Sequence, residues 1–305
     1  MDNEKKDENQ TCISTDLAYE SHQQVKDKDL LDGIKVTEEK HDSFEVSNIK
    51  ILNDEGAKAL KKPIGEYITL TSSRICDLDQ KQLDEIRGYL SKTIINLCNK
   101  LTNKKIDENF SAFVCGLGNC DITVDAIGPF TIRRLNATRH IKNYNQNIYK
   151  AIGRCEISAI APGVLAQTGI ETVEIVKGSA DNVKPDLIIA IDSLAARSCD
   201  RLASTIQISD GGINPGSGIG NNRKSINKES LGYPVLSIGI PTVVNSATLV
   251  YDALQAAGIS DIDEKLKHIL NSGKSFYVSP KESDDITEVA AELLSNAIDD
   301  ALTLK

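Results

Sequence analysis

The sequence predicts a three-layer α/β/α sandwich with a mostly parallel central sheet. Short apolar runs alternate along the chain with segments of helical periodicity, and 40% of the 305 residues are hydrophobic, which is enough for a sizeable core. Runs that are apolar at most positions are typical of strands that helices cover on both faces, as in parallel sheets. These runs lie at residues 110–115 (FSAFVC), 186–191 (DLIIAI), 205–208 (TIQI) and 235–240 (VLSIGI).

The N-terminal segment, residues 1 to about 42, is predicted to be a flexible arm. It is rich in Lys, Asp, Glu and Gln and shows little hydrophobic periodicity, a composition typical of disordered chain. Ordered structure is expected to begin near Phe44, and residues 43–305 are expected to form one domain. The first predicted strand of that domain is 65–71 (GEYITLT).

Two amphipathic helices are predicted to cover the sheet. The first follows the strand at 65–71, and the second occupies roughly residues 285–302. In each helix the apolar residues recur three or four positions apart, which places them on one face. The apolar positions of the first helix are Leu83, Ile86, Leu90, Ile94, Leu97 and Leu101.

Composition and charge exclude several classes of function. The formal net charge of −9 argues against a general affinity for nucleic-acid backbones, and a chain without Trp and with five Phe offers little surface for stacking bases. No apolar run approaches the roughly 20 residues that span a bilayer, so no membrane partner is expected. The N-terminal sequence MDNEKKDENQ is too polar for a secretory signal, so we expect a cytoplasmic protein.

The cysteines and histidines do not form a metal-binding pattern. Seven Cys occur without a CxxC pair, and Cys115 lies inside a predicted strand, so we expect reduced, buried thiols. The four His are scattered and there is no HExxH motif. We therefore expect neither a metal nor a cofactor.

Two aspartates stand where predicted parallel strands end. Asp192 directly follows the run at 186–191, and Asp125 lies a few residues past the run at 110–115. The carboxyl ends of parallel strands line the crevice where ligands bind, so both side chains can meet in one cleft. Two close carboxyl groups share a proton, so that one takes a proton from water while the other donates a hydrogen bond to a carbonyl oxygen.

An alternative role for both residues is helix capping. Asp is a favoured N-cap residue, and helices beginning near Ala126 and at Ser193 would place Asp125 and Asp192 at that position. Position along the chain does not decide between capping and catalysis.

A series of characteristic segments then follows in one order between residues 110 and 250. They are 116–119 (GLGN), 124–129 (VDAIGP), 138–140 (TRH), 161–164 (APGV), 168–172 (TGIET), 191–198 (IDSLAARS), 205–210 (TIQISD), 215–221 (PGSGIGN) and 239–244 (GIPTVV). Together these segments resemble the germination protease family of endospore-forming bacteria. The resemblance covers most of residues 110–250 and extends more weakly to both ends of the chain.

The resemblance implies both a fold and an activity. It implies an endopeptidase of the spore core that degrades small acid-soluble spore proteins, with the fold of the hydrogenase maturation proteases and a homotetrameric assembly. The essential carboxylates of the family lie in segments that match Asp125 and Asp192, which favours catalysis over capping. It implies no direct contact with nucleic acid.

The arm contains a segment that resembles the family's processing site. Family substrates are cut after the first Glu of a Thr-Glu-(Ile or Phe)-Ala-Ser-Glu motif, and residues 15–20 of this chain read TDLAYE. The resemblance implies a zymogen that cleaves itself between Asp16 and Leu17 and loses a propeptide of about residues 1–16. The alternative is a short helix capped by Ser14 or Thr15.

Acidic residues flank the cut in such substrates, so the cleft is expected to hold a cation. The candidates are Arg139, Arg197 and Arg223, with His140 behind them, although each is also explained by a surface ion pair. Two other functions stay open: a metal-assisted peptidase that uses the same acids with His140, and a non-catalytic binder of small spore proteins.

Two further segments carry expectations. The glycine-rich residues 215–220 lack the pattern of a phosphate-binding loop and are predicted to form either a flap near the cleft or a surface loop. The chain reads Val244-Asn245 where many relatives have Val-Val-Asp, which affects the cleft if that acid helps to hold it.

Overall fold

A nine-stranded sheet forms the centre of the computed structural model, which describes residues 15–25, 33–216, 223–259, 263–271 and 276–304. The strands are β1 (Ile34–Lys40), β2 (Phe44–Ile51), β3 (Gly65–Ser72), β4 (Ser111–Gly116), β5 (Glu156–Ile160), β6 (Leu187–Ala196), β7 (Thr205–Ser209), β8 (Val235–Asn245) and β9 (Tyr277–Val278).

Twelve helices accompany these strands within the same described residues. They are α1 (Ala18–Gln24), α2 (Asp54–Leu60), α3 (Gln80–Thr102), α4 (Ile127–Arg134), α5 (Arg139–Tyr144), α6 (Gln146–Ile152), α7 (Leu165–Thr168), α8 (Thr172–Val183), α9 (Lys228–Leu231), α10 (Ser246–Ala256), α11 (Glu264–Asn271) and α12 (Ser283–Ala301). The predicted helices at 83–101 and 285–302 are α3 and α12. Helix α3 begins with a capping box, in which the Asp79 carboxylate accepts the Gln82 N–H and the Gln82 side chain accepts the Asp79 N–H, each at 2.9 Å.

The sheet has a parallel half and an antiparallel half. The strand order is β1-β2-β3-β7-β8-β6-β4-β5, with β9 paired to β8. Strands β8, β6, β4 and β5 are parallel, which confirms the parallel sheet predicted from the apolar runs. Strand β7 joins β8 antiparallel and leads to the antiparallel ladder of β3, β2 and β1, which the sequence pattern did not predict.

Helices cover both faces of the parallel half, as the predicted three layers require. One face carries a large core in which side chains from α3, α4 and α12 pack on the strands, including Ile86, Ile127 and Ile298. The opposite face packs against α8 and α9 through Val176 and Leu231. The two long central strands β6 and β8 are buried along nearly their whole length.

The N-terminal region is more ordered than its composition predicts. The expectation of a flexible arm up to about residue 42 is wrong for α1 (Ala18–Gln24) and β1 (Ile34–Lys40). Strand β1 pairs along its whole length with β2, for example Val36 with Ile49, but as an edge strand it keeps most side chains exposed and therefore carries polar residues. Residues 1–14 of the predicted propeptide lie outside the described residues.

The cysteines of the described residues are free thiols, as expected from their spacing. Cys98, Cys115 and Cys155 are buried in the core. Burial raises the pKa of Cys98 to about 12, so this thiol stays protonated and unreactive at neutral pH.

Candidate active site

The start of α4 packs on the carboxyl ends of β4 and β6, at one end of the parallel strands. The Leu117 N–H donates to the Ile191 carbonyl at 2.7 Å, which continues the pairing of the two strands beyond Gly116. A Cβ on Gly116 would lie 2.2 Å from the Gly128 carbonyl oxygen, and one on Gly128 would lie 2.3 Å from the Leu117 oxygen. The glycines of the GLGN and DAIGP segments therefore allow α4 to pack directly on the strand ends.

Asp125 is fixed in the turn between β4 and α4. One of its carboxylate oxygens accepts the Asn119 N–H at 2.8 Å. Gly118 has a φ of +108°, and a Cβ there would lie 2.0 Å from the Asp125 carbonyl oxygen, so the turn requires glycine. Burial raises the pKa of Asp125 to about 6, and the Asn119 hydrogen bond opposes that shift.

Hydroxyl groups from two other elements hold the same turn from outside. Thr242 of β8 donates to the Val124 carbonyl at 2.6 Å, and Thr287 of α12 donates to the Thr123 carbonyl at 3.0 Å. These contacts tie the backbone directly before Asp125 to the body of the protein.

Asp192 lies in β6, with only 4% of its surface exposed. Its neighbour across the ladder is Gly239 of β8, and one carboxylate oxygen accepts the Ser193 N–H at 2.9 Å. Burial raises the pKa of Asp192 well above its usual value, and the charges of Asp125 and then Asp16 raise the pKa further. Both predicted acids thus lie at the carboxyl ends of the parallel strands, with Asp125 near enough for its charge to raise the pKa of Asp192.

Neither aspartate caps a helix. Asp192 lies within β6, which continues to Ala196, and no helix begins at Ser193. Helix α4 begins after Ala126, its N-cap residue, without a side-chain hydrogen bond. The capping alternative is therefore wrong for both residues.

The described part of the arm docks beside this site. The Asp16 N–H donates to the Ala195 carbonyl at 2.9 Å, and the Asp16 carboxylate accepts the Ala195 N–H at 2.9 Å. Leu17 is fully buried against Leu194, Ala196, Leu202 and Val244. The predicted cleavage bond between Asp16 and Leu17 therefore lies along the end of β6, where Asp16 pairs with Ala195, three residues beyond Asp192.

Main-chain donors hold the second acid of the arm segment. Glu20 is 4% exposed, and its two carboxylate oxygens accept the N–H groups of Arg197 and Ser198, each at 2.8 Å. The Thr15 hydroxyl also donates to Glu20. The segment does begin a short helix, α1, but the N-cap residue of that helix is Leu17, and Thr15 does not cap it.

The cation candidates are distributed over both ends of the parallel strands. Arg139 and His140 begin α5, where Arg139 pairs with Glu156 at 3.2 Å, and Glu156 lies opposite Ser111 at the start of β4. This is about 16 Å from the strand end where the acids lie, five residues along the sheet. The structure does not bring Arg139 or His140 to the aspartates.

The other two candidates lie on the side of the site. Arg197 directly follows β6 and contributes its backbone N–H to Glu20. Arg223 is half-buried, and its neighbour Lys224 reaches Glu174 near the start of α8 at 3.5 Å. Pro215 and Gly216 are the only described residues of the glycine-rich loop, since residues 217–222 lie outside the described residues.

Lys62 is a cation at the site that the sequence did not reveal. Its ammonium group donates to the Thr15 carbonyl at 2.9 Å. Burial lowers the pKa of Lys62, and the charges of Asp16 and Glu20 oppose that shift. Lys62 follows α2, far from the aspartates along the chain, so no local pattern points to its role.

Asn245 ends β8 and accepts the Ala247 N–H at 2.9 Å through its side-chain oxygen, at the start of α10. An aspartate carboxylate can accept the same bond. The contact with Ala247 therefore does not require a charged side chain at position 245.

Two negative observations apply to the described ranges alone. No group of three or more His, Cys, Asp and Glu side chains is arranged there to hold a metal ion. None of the helices described is both long and apolar enough to cross a bilayer.

Comparison with known proteins identifies relatives over most of the chain. The germination protease family model matches residues 12–257. A germination protease of Clostridium perfringens strain 13 is 40% identical over 95% of this chain and 95% of its own length. A germination protease of Caldanaerobacter subterraneus is 42% identical over 80% of this chain and 72% of its own.

Among solved structures, a NiFe hydrogenase maturation protease of Thermococcus kodakarensis matches 66% of this chain and 98% of its own, with 16% identity and a TM-score of 0.35. The family assignment rests on the sequence matches, which run through the segments carrying both aspartates. On these matches the chain belongs to the germination protease family.

Proposed function

We propose that this chain, which has a protease role in germination through its family, is the zymogen of an endopeptidase that cleaves small acid-soluble spore proteins. It cleaves its own chain between Asp16 and Leu17, and it acts in the spore core as a homotetramer. Asp125 and Asp192 are the catalytic pair. One observation carries the proposal: Asp16, at the predicted processing site, pairs with Ala195 at the end of β6, and the charges of Asp125 and Asp16 both act on the buried Asp192.

The two environments suggest how the pair divides the chemistry. Asp192 is the more deeply buried acid and holds its proton more firmly, so it donates a hydrogen bond to the carbonyl oxygen of the bond to be cut. Asp125, with a pKa of about 6, is ionised near neutral pH and takes a proton from the attacking water. The water oxygen bonds to the carbonyl carbon, the C–N bond breaks, and the leaving nitrogen receives a proton from the pair.

The activity itself is tested by incubating the purified protein with a small acid-soluble spore protein. Discrete fragments cut after the first Glu of the recognition motif are expected, and activity that survives a chelator separates an aspartate pair from a metal-assisted peptidase. An intact substrate, together with protein that also leaves its own chain uncut, would support the alternative of a non-catalytic binder.

Self-processing is expected to leave Leu17 as the first residue of the active protein. Leu17 and Glu20 contact the body of the protein and stay with it when the bond before Leu17 is cut, so cleavage there separates residues 1–16. Intact-mass spectrometry of protein purified before and after activation measures the change. Full activity in a chain that still carries residues 1–16 would contradict the zymogen proposal.

The rate of self-processing is expected to depend on pH with an apparent pKa of about 6. Below this pH Asp125, whose pKa is raised to about 6, is protonated and cannot accept the water proton, so the rate rises as the pH increases through 6. At higher pH the rate falls once Asp192 loses its proton. Initial rates across this range measure the profile, with the melting temperature followed in parallel, and a flat profile between about pH 5 and 8 would contradict proton sharing.

A further inference from the structure

The side-chain amide of Gln207 holds the backbone of the arm on both sides of the processing bond. Its Nε2 donates to the Asp16 carbonyl oxygen at 3.2 Å, and its Oε1 accepts the Ala18 N–H at 2.8 Å. A carbonyl can only accept and a backbone N–H can only donate, so these two partners fix the orientation of the amide. Gln207 is 8% exposed, which places both hydrogen bonds in a site with little access to water.

The sheet aligns Gln207 with Asp192 across a glycine. Gln207 of β7 lies opposite Gly239 of β8, and Gly239 lies opposite Asp192 of β6. Residues directly opposite one another in adjacent strands point to the same face, so Gln207 and Asp192 flank one stretch of sheet with Cα atoms about 10 Å apart, two strand spacings. Gln207 donates to the carbonyl oxygen of Asp16, and the charge of Asp16 raises the pKa of Asp192.

Gly239, the glycine between them, leaves room for an apolar side chain on this face of the sheet. A Cβ on Gly239 would lie 2.6 Å from Leu194 Cδ1, so the missing side chain lets Leu194 lean across β8. Leu194 in turn packs against Leu17, the residue after the bond. Gln207 thus holds Asp16, the residue before the bond, and Leu194 contacts Leu17, the residue after it.

We propose that Gln207 is a catalytic residue of this site, which donates a hydrogen bond to the carbonyl oxygen that becomes the oxyanion and positions the peptide through the following N–H. The proposal rests on the proposed protease function. When the water oxygen bonds to the Asp16 carbonyl carbon, the π electrons move to the carbonyl oxygen, and the Gln207 N–H stabilises that charge without giving up its proton. The acid pair supplies and receives every proton that moves, and the C–N electron pair leaves with the Leu17 nitrogen.

The first test replaces the donor and keeps the acceptor. In Gln207→Glu the carboxylate still accepts the Ala18 N–H but offers no donor to the Asp16 oxygen, and its charge opposes the oxyanion. Self-processing at pH 7 is expected to slow by about 100- to 1000-fold, the range seen when one oxyanion donor is removed. Gln207→Leu removes both hydrogen bonds and is expected to slow processing at least as much.

The pH dependence of Gln207→Glu distinguishes catalysis from a structural role. As the pH falls, the buried carboxyl group takes up a proton and regains an O–H donor, so the ratio of variant to wild-type rate is expected to rise. This recovery within one protein also shows that the variant is folded. Gln146→Glu, an exposed glutamine of α6, is the matched control for the added charge and is expected to process at the wild-type rate.

The outcomes separate this proposal from the protease proposal. Wild-type protein that does not cut itself or a spore protein contradicts the protease function. If the wild-type protein cuts and both Gln207→Glu and Gln207→Leu process at the wild-type rate, the role of Gln207 is overturned and the protease function stands. A loss in Gln207→Glu that is equal at all pH values assigns Gln207 a structural role and also overturns the proposal.

Discussion

Replacing Asp192 or Asp125 with Asn is expected to abolish cleavage of spore proteins and of the bond between Asp16 and Leu17. Each substitution keeps the shape of the side chain but removes the shared proton, and loss of one general acid or base typically costs about 100- to 10,000-fold in rate. Stability is expected to be kept or raised, because burial disfavours the charged form of both acids and Asn is neutral. Self-processing followed by mass spectrometry measures the first effect, and thermal unfolding measures the second.

Asp121→Asn is the matched control for these variants. Asp121 is an exposed acid of the same loop, four residues before Asp125, and its contact with the Gln167 amide at 3.1 Å involves only a carboxylate oxygen that Asn retains. Its activity is expected to stay at the wild-type level. Processing that persists in either catalytic-pair variant would remove that aspartate from the mechanism.

Gly118→Ala is expected to cost both stability and activity. The backbone φ of +108° is unfavourable for any side chain, and the new Cβ would lie 2.0 Å from the Asp125 carbonyl oxygen. The strain and the overlap each cost about 1–3 kcal/mol, and relief of the overlap moves the turn that carries Asp125. We expect a free energy of unfolding lower by about 2–6 kcal/mol. Self-processing is expected to be much slower than in the control variant Gly153→Ala.

Gly153→Ala separates the backbone cost from the overlap. Gly153 has a φ of +66° after α6, and a Cβ there meets nothing within 4 Å. It is expected to lose about 1 kcal/mol of stability and none of the activity. Equal losses of stability and rate in the two alanine variants would show that the close approach of Gly118 to Asp125 is unimportant. Denaturant unfolding and processing rates provide the comparison.

The sequence predicted the parallel half of the fold and the meeting of the two acids for one physical reason. Strands buried on both faces are apolar at most positions, so β4, β6 and β8 are visible as runs, and the polar residues that end such runs mark the edge where ligands bind. Asp125 and Asp192 both follow such runs, so their position at the carboxyl ends of the strands is predictable without the strand order.

Contacts between distant parts of the chain were not predictable in this way. Lys62 follows α2 and Gln207 lies in β7, so each reaches the arm from a distant part of the chain, and neither residue stands out in its own segment. Arg139 belongs to a characteristic segment, but only the chain path shows that α5 starts at the amino ends of the parallel strands, opposite the acids. Strand β1 shows no apolar run because its exposed face carries charged residues.

The way in which Glu20 is held has an evolutionary consequence. Its carboxylate is bound by the main chain at positions 197 and 198, and every residue except proline supplies an N–H there. Recognition of the acid therefore makes no demand on the side chains at these two positions, other than that neither is proline. Conservation of this recognition would be seen in the path of the backbone and would be invisible in an alignment of residue types.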